Sequence, residues 1–516
     1  MALPSMINFF APGRTAEGST GRRGWKSAVL YTALIAFPLA AVVVRSNGSL
    51  MAAGAFMAVV VVIVATFYRV EWGFYLLLLA VMVFGQFEIP GFTTTTFRVG
   101  YFRNIKEIEY LPYFSRGDAN PFELHFLFVV AVWVFRLIVR RDMRLRPIPL
   151  WFASTLWFAW IVVGFGYGMQ RGGESLPALW ETRALAYMSL VSAFVPQIIQ
   201  TKVQIKNVVW VMIIGTAVKA FEGVDRYIQN GWSSGGYEAM QAHEDPVFIG
   251  AILMLLLALL VFGGNRAQLW TILILLIPFL LGFQVGKRRA AYAAVAVSFA
   301  AFTVLIPNKN LPRALKYILP LIAAAGMYVA VFWDSTSPLA SPLHGIMSGF
   351  QKDEMNTEGV TKDRDYYSNL YRKIEDYDLA MTIQNSPMMG IGFGTRYEQP
   401  IPLVHLNFAL QDYMAHNNVL WLLTKTGAIG FFLFWFLLNG LGFKGASMLG
   451  RLNDPYLKAV CAVSIVGLIS LMTAAYFDLH IVRYRTMIQT GTLIGLLGSI
   501  ETAEKSKGDA ALVPTI

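Results

Sequence analysis

Residues 246–263 read PVFIGAILMLLLALLVFG, eighteen positions without a single charge. At a helical rise of about 1.5 Å per residue such a run reaches roughly 27 Å, close to the ~30 Å hydrocarbon core of a bilayer. Working outward, runs of the same kind recur at 28–44, 49–67, 72–86, 122–139, 149–167, 179–199, 207–222, 268–283, 290–306, 315–333, 416–439, 456–476 and 484–499. The spacing predicts about fourteen transmembrane helices and an all-α, polytopic membrane fold. Composition agrees: 56% of the chain is hydrophobic and only 14% charged, against about 25% charged in soluble domains. The segment 179–199 is the least typical, because it carries Glu181 and Arg183.

The single cysteine, Cys461, lies in an apolar run and excludes an internal disulfide. Arg14, Arg22, Arg23 and Lys26 precede the first apolar run. With further spans following and no small-residue cleavage site, that run reads as a first helix rather than a signal peptide. With the N-terminus inside, the inner loops are basic: 140–146 holds Arg140, Arg141, Arg144 and Arg146, followed by Lys202 and Lys206, then Arg266, then Lys309, Arg313 and Lys316, and Lys444, Arg451 and Lys458. This distribution fits the positive-inside rule and accounts for the net charge of +11. It also disfavours nucleic acid as a partner, since the cations are scattered through short loops.

One stretch interrupts the pattern. Residues 334–415 carry eleven acidic and six basic side chains. Such a segment cannot lie in hydrocarbon, where its charges and irregular backbone would go unsatisfied. The chain therefore divides into a bundle over 1–333, an outer polar domain over 334–415 and further spans over 416–516. The polar domain ends in His416-Asn417-Asn418-Val419-Leu420, where the next span begins. A histidine at that boundary can accept a proton from a hydroxyl. It can equally be an interfacial residue bonded to a backbone carbonyl.

Several outer-face cations break the charge rule: Lys287, Arg288 and Arg289 in a row, then Arg226, Arg372, Arg483 and Arg485. Topology gains nothing from them, and an anionic ligand at that face is one reason for their presence. Snorkelling onto lipid headgroups is the alternative. Lys219, Glu222 and Arg226 fall on one helical face, either as a substrate contact or as a structural ion pair, and Arg183 in the preceding span is a candidate to join them. His243 opens another span as a cap or a substrate contact, and Asp478, His480, Arg483 and Arg485 crowd one short loop. No paired Cys/His spacing suggests zinc and no P-loop is present, so no cofactor is implied.

The order of the motifs resembles the bacterial O-antigen ligase and O-antigen polymerase superfamily. His416-Asn417-x-x-Leu420 followed by Gly427 and Gly430 is similar to its signature. Pro387-Met388-Met389-Gly390-Ile391-Gly392-Phe393-Gly394 resembles its "P-L-x-G-x-G-x-G" segment, and Arg372 precedes it at a similar spacing. The resemblance covers roughly 365–435. It implies a GT-C-like glycosyltransferase without metal, acting on a glycan carried by undecaprenyl diphosphate at the periplasmic face of the bacterial inner membrane. His416 would be the catalytic base, with Arg288, Arg289 and Arg372 on the diphosphate. Lys219, Arg226, Arg183, His243, Asn417, Gly392, Arg483 and Arg485 would serve as substrate contacts. Lipid A-core, a second lipid-linked repeat and a protein hydroxyl remain competing acceptors. In this family a glutamate often stands nine residues after the histidine; this chain has Lys425, which by helical geometry faces away from His416 and bears on packing or a lipid contact. A secondary transporter or glycolipid flippase also fits many spans with intramembrane charge, although no internal repeat of the transporter kind is visible. A scaffold whose outer domain binds protein is a third reading. The sequence fixes no oligomeric state.

Overall fold

The computed structural model describes residues 20–88, 94–108, 118–139, 145–232, 240–335, 340, 343, 360–405 and 408–511, with side chains described from 32 to 505 except at 95 and 360–366. Arg14, residues 140–144 of the inner basic loop and most of 336–359 in the polar domain lie outside that set, and the side chains of Arg22, Arg23 and Lys26 do as well.

In chain order the helices are α1 (Thr20–Arg45), α2 (Leu50–Tyr68), α3 (Val70–Val83), α4 (Thr95–Arg98), α5 (Pro121–Val139), α6 (Trp151–Gln170), α7 (Ser175–Ile198), α8 (Lys202–Gln229) and α9 (Asp245–Phe262). They continue with α10 (Arg266–Ile274), α11 (Leu276–Val285), α12 (Arg289–Leu305), α13 (Leu311–Phe332), α14 (Val360–Asn385), α15 (Asn418–Arg451), α16 (Pro455–Phe477) and α17 (Tyr484–Ala511). No strand occurs among the described residues. Each of the fourteen apolar segments is helical. Among the described residues, eight helices are both long and apolar enough to cross a bilayer: α2, α5, α6, α8, α9, α13, α15 and α16. The number rises to nine if α10 and α11, bent by 54° at Leu275, are one broken span.

The difference from fourteen has physical causes. α3, α12 and the part of α1 over Thr32–Arg45 are apolar but short. α7 and α17 carry polar groups, and these two helices pack on each other in the middle of the bundle. There α7 buries Glu181, Ser189 and Ser192, while α17 buries Arg485, Thr490 and Ser499. A helix walled in by protein meets no lipid and need not be apolar all round. The opposite case is α13, whose Leu319, Met327 and Val331 are exposed, as suits a helix with an apolar outer surface.

The helices that place the site are α14, α15 and α16. The polar helix α14 docks on the start of α15, which in turn packs along α6 and α16. The glycine-rich turn wedges between α6 and α15. Phe393 N donates to Gly164 O (3.1 Å), and Ile391 N and Gly392 N donate to Thr424 O (2.9 Å) and Lys425 O (3.0 Å). Gly392 holds φ +81°, and a Cβ there would stand 2.5 Å from Gly168 Cα, so only glycine fits. Gly427 breaks α15 with φ 64° and ψ −175°; Ala428 N then reaches back to Pro387 O (2.8 Å).

Candidate functional site

His416 sits in the turn that leads into α15. Its backbone N–H donates to Glu375 Oε2 (2.8 Å), and its Nδ1 lies 3.2 Å and 3.3 Å from the two oxygens of the same carboxylate. Glu375, from α14, is 1% exposed, whereas the imidazole is 25% exposed. A carboxylate at Nδ1 holds a proton on that nitrogen, so a neutral ring would carry its lone pair on Nε2. Tyr371, one turn earlier on α14, sets its ring edge-on to the imidazole at 5.7 Å. Arg372 acts on Asp376 of the same helix. Burial raises the Asp376 carboxyl above the usual range, and Asn417 and Arg372 oppose the rise. Asn417 caps α15, its Oδ1 accepting from Leu420 N (3.2 Å), so the oxygen that was a candidate for substrate already has a structural partner.

Glu375, Tyr371 and Asp376 escaped sequence reasoning. Their signal was present: in Tyr371-Arg372-x-x-Glu375-Asp376 the pairs Tyr371/Glu375 and Arg372/Asp376 stand at i,i+4, which puts all four on one side of a helix. What could not be read is that this face meets His416, 41 positions downstream.

A second cluster lies in the loop before α17. His243 Nδ1 is 2.5 Å from Asp478 Oδ2, with the imidazole 30% exposed and the carboxylate 6%. Burial pushes His243 down to about 4, with Arg288 and Arg483 adding to the shift and Asp478 opposing it. Burial likewise brings His480 to about 4. Burial would raise Asp478, but the His243 contact, His480 and Arg288 outweigh it and hold the carboxyl well below its usual value. Arg288, the residue before α12, thus has His243, Asp478 and His480 as electrostatic neighbours. Arg289 is the first residue of α12; both arginines are half-buried, and Lys287 before them is exposed. The two clusters are tied through the residues after His416: Asn418 Nδ2 donates to Ala415 O (2.9 Å), and its Oδ1 accepts from Ile481 N (2.7 Å).

Other candidates are committed to the protein itself. Arg485 is fully buried, paired with Glu244 (2.9 Å) and Asp245 (2.8 Å) and donating to Val81 O (2.8 Å) and Met82 O (2.6 Å). Arg483 pairs with Glu244 (3.3 Å) and lies over the Phe87 ring at 4.9 Å. Burial alone would raise Glu244; these two guanidinium groups instead hold it down to about 2. Lys219 pairs with Glu222 and, at 3.7 Å, with Asp245, and Arg226 pairs with Glu222 as well. For this trio the structural ion pair is the arrangement found. Arg183 does not join it: its Nε lies 3.1 Å from Glu123 and its Nη2 donates to Asp118 O (2.6 Å). Gly392 has its amide on Lys425 O, so it shapes the turn rather than presenting a donor. Lys425 has no lipid contact; it is fully buried against Glu181 at 2.8 Å. Glu181 also accepts from Gly394 N (2.5 Å), so this pair clamps the glycine-rich turn between α7 and α15. Among the described residues no group of three His, Cys, Asp or Glu side chains is placed to hold a metal ion.

No protein-family model matches the chain, and no curated protein matches it.

Proposed function

We propose that the protein is an integral-membrane glycosyltransferase that moves a glycan from a lipid diphosphate to an acceptor hydroxyl. The observation that carries this reading is the His416–Glu375 pair. An imidazole at the end of a span, anchored through both its backbone N–H and Nδ1 by a buried carboxylate, has the form of an oriented proton acceptor. In the reaction, the acceptor oxygen attacks the anomeric carbon as its proton passes to Nε2 of His416. The bond from that carbon to the phosphate oxygen breaks, and the diphosphate departs with the electron pair. Arg372, on the helix that supplies Glu375, and Arg288 with Arg289 would stabilise the growing negative charge. Glu375 is a positioning residue, and no metal ion is needed.

The motif order over 365–435 supports the finer reading. On this reading the chain would be an O-antigen ligase or polymerase with a GT-C-like arrangement of about fourteen spans. Both termini would be cytoplasmic in a bacterial inner membrane, with the site periplasmic and the donor carried on undecaprenyl diphosphate. Lipid A-core, a second lipid-linked repeat and a protein hydroxyl are the acceptors to distinguish.

The test is transfer by the purified protein from undecaprenyl-diphosphate-linked oligosaccharide, read by the mass of the products. Turnover that disappears in folded His416→Ala and Arg288→Ala/Arg289→Ala supports the reading. Equal glycan output in these variants rejects it, and movement of labelled lipid across a liposome without a change in its mass identifies a flippase instead.

A further inference from the structure

Beside the glycine-rich turn the surface opens into a cleft of about 320 Å³, at the small end of the ~300–1,000 Å³ range of ligand sites. Arg171 and Glu174 contribute from the α6–α7 connection, Thr395, Arg396 and Glu398 from the strap after the turn, and Tyr413 from the segment that ends at His416. None of these residues takes part in the reaction proposed above.

The walls are polar and already held in place. Tyr413 Oη donates to Glu174 Oε1 (2.5 Å), and Arg396 Nε donates to Tyr413 Oη (3.0 Å). Arg396 also pairs with Glu174 (3.2 Å) and Asp412 (3.5 Å) while remaining 62% exposed. Arg171 reaches Ser386 Oγ (3.3 Å) and Tyr167 Oη (3.4 Å), and Asn385 Nδ2 donates to Glu398 Oε2 (2.6 Å). The floor is rigid, because Lys425 and Glu181 clamp Gly394 from below. Side chains fixed before a ligand arrives lose little entropy on binding it.

Charge selects the ligand class. The walls carry two guanidinium groups, Arg171 and Arg396, and two carboxylates, Glu174 and Glu398, so neither a polyanion nor a polycation meets a wall of opposite charge. An apolar tail would strip the remaining water from these charged side chains and offer nothing in its place. Alternating planar donors and acceptors suit vicinal hydroxyls, each of which both donates and accepts.

We propose that this cleft is a binding site for an uncharged saccharide chain, the acceptor or donor glycan that reaches the His416 site. The cleft stands on its own geometry; the choice of a saccharide rests on the transferase reading. The test is binding of maltoheptaose to the full-length protein in detergent, followed by saturation-transfer NMR, with hepta-galacturonate as the anionic comparison. Saturable binding of maltoheptaose is expected, weakened about tenfold by Arg171→Ala and by Glu398→Gln with the melting temperature unchanged. His416→Ala should bind like the wild type. Absence of saturable binding, tighter binding of hepta-galacturonate, or indifference to both substitutions overturns the proposal. Binding in a protein that transfers no glycan would sink the transferase reading and leave the cleft standing.

Discussion

The surroundings of His416 and those of Arg485 use the same residue types to opposite ends. Around Arg485 every formal charge is closed in: Glu244, Asp245 and two backbone carbonyls surround one guanidinium that no solvent reaches. Around His416 the carboxylate is buried but the imidazole is a quarter exposed, with one ring nitrogen engaged and the other left over. Burying charge without a partner is costly, so a saturated cluster is a fold element. A half-satisfied group with an open side is poised for a ligand. The difference shows that intramembrane charge alone does not locate a site; the accounting of partners does.

The comparison can be broken most sharply at its two centres. His416→Ala should lower transfer by about 10²–10⁴-fold, the usual contribution of a general base, with expression and melting unchanged. A misfolded variant would move His416 into the structural class. Arg485→Ala should act in reverse. Removing the guanidinium that Glu244 and Asp245 share, with only Arg483 and Lys219 left to offset them, should cost about 3–5 kcal/mol, read as a collapse of folded, monodisperse protein in detergent. A well-folded Arg485→Ala protein would show the cluster to be dispensable.

Lys425→Ala tests a second closed pair, since it strands the buried Glu181 and frees the glycine-rich turn. A loss of about 3 kcal/mol is expected from leaving one buried partner uncompensated, and the paired change Lys425→Met/Glu181→Leu should recover part of it. A melting curve in detergent decides.

Acid sharpens the contrast next. His243 and His480 are held at about 4 by burial, below the ~6.5 of an exposed histidine. A folded pKa below the unfolded one means that the unfolded chain takes up protons first. The stability these groups contribute is therefore present above about pH 6.5 and lost as pH falls towards 4. Glu244 at about 2 extends the loss to lower pH. Melting temperature measured from pH 7.5 to 4.5 should fall, and His243→Gln should flatten the slope; an unchanged slope rejects the assignment. The smallest effect belongs to Glu375→Gln, which keeps a hydrogen-bond acceptor for Nδ1. It should slow transfer about tenfold while leaving KM near the wild-type value, as expected for a group that orients the base.

Much of the architecture was legible because hydropathy is a local property. Every apolar run from 28–44 to 484–499 is helical, and the polar stretch supplies a helix that docks at the start of α15. The number of spans was less legible. α7 and α17 carry charges because they touch other helices, and the α10–α11 segment bends at Leu275, a break that a hydropathy window averages away. At the site, the histidine at the end of a span was visible, whereas its carboxylate was not. The pairing of Lys219 and Arg226 with Glu222 was readable as an alternative, since all three share one face of α8, whereas Arg485 looked like a ligand for an anion because its partners, Glu244 and Asp245, come from the start of another helix.

The sequence by itself determined a helical chain with many apolar runs of membrane length, a charged segment that hydrocarbon cannot hold, and the residue types available at its edges. These follow from the transfer energies of individual side chains, which need no knowledge of neighbours. Only the tertiary structure decided which charges cancel, that Glu375 grips His416, and that Lys425 clamps Glu181 instead of facing lipid. Pairing depends on distance and burial between segments far apart in the chain, and neither is written in any single run of residues.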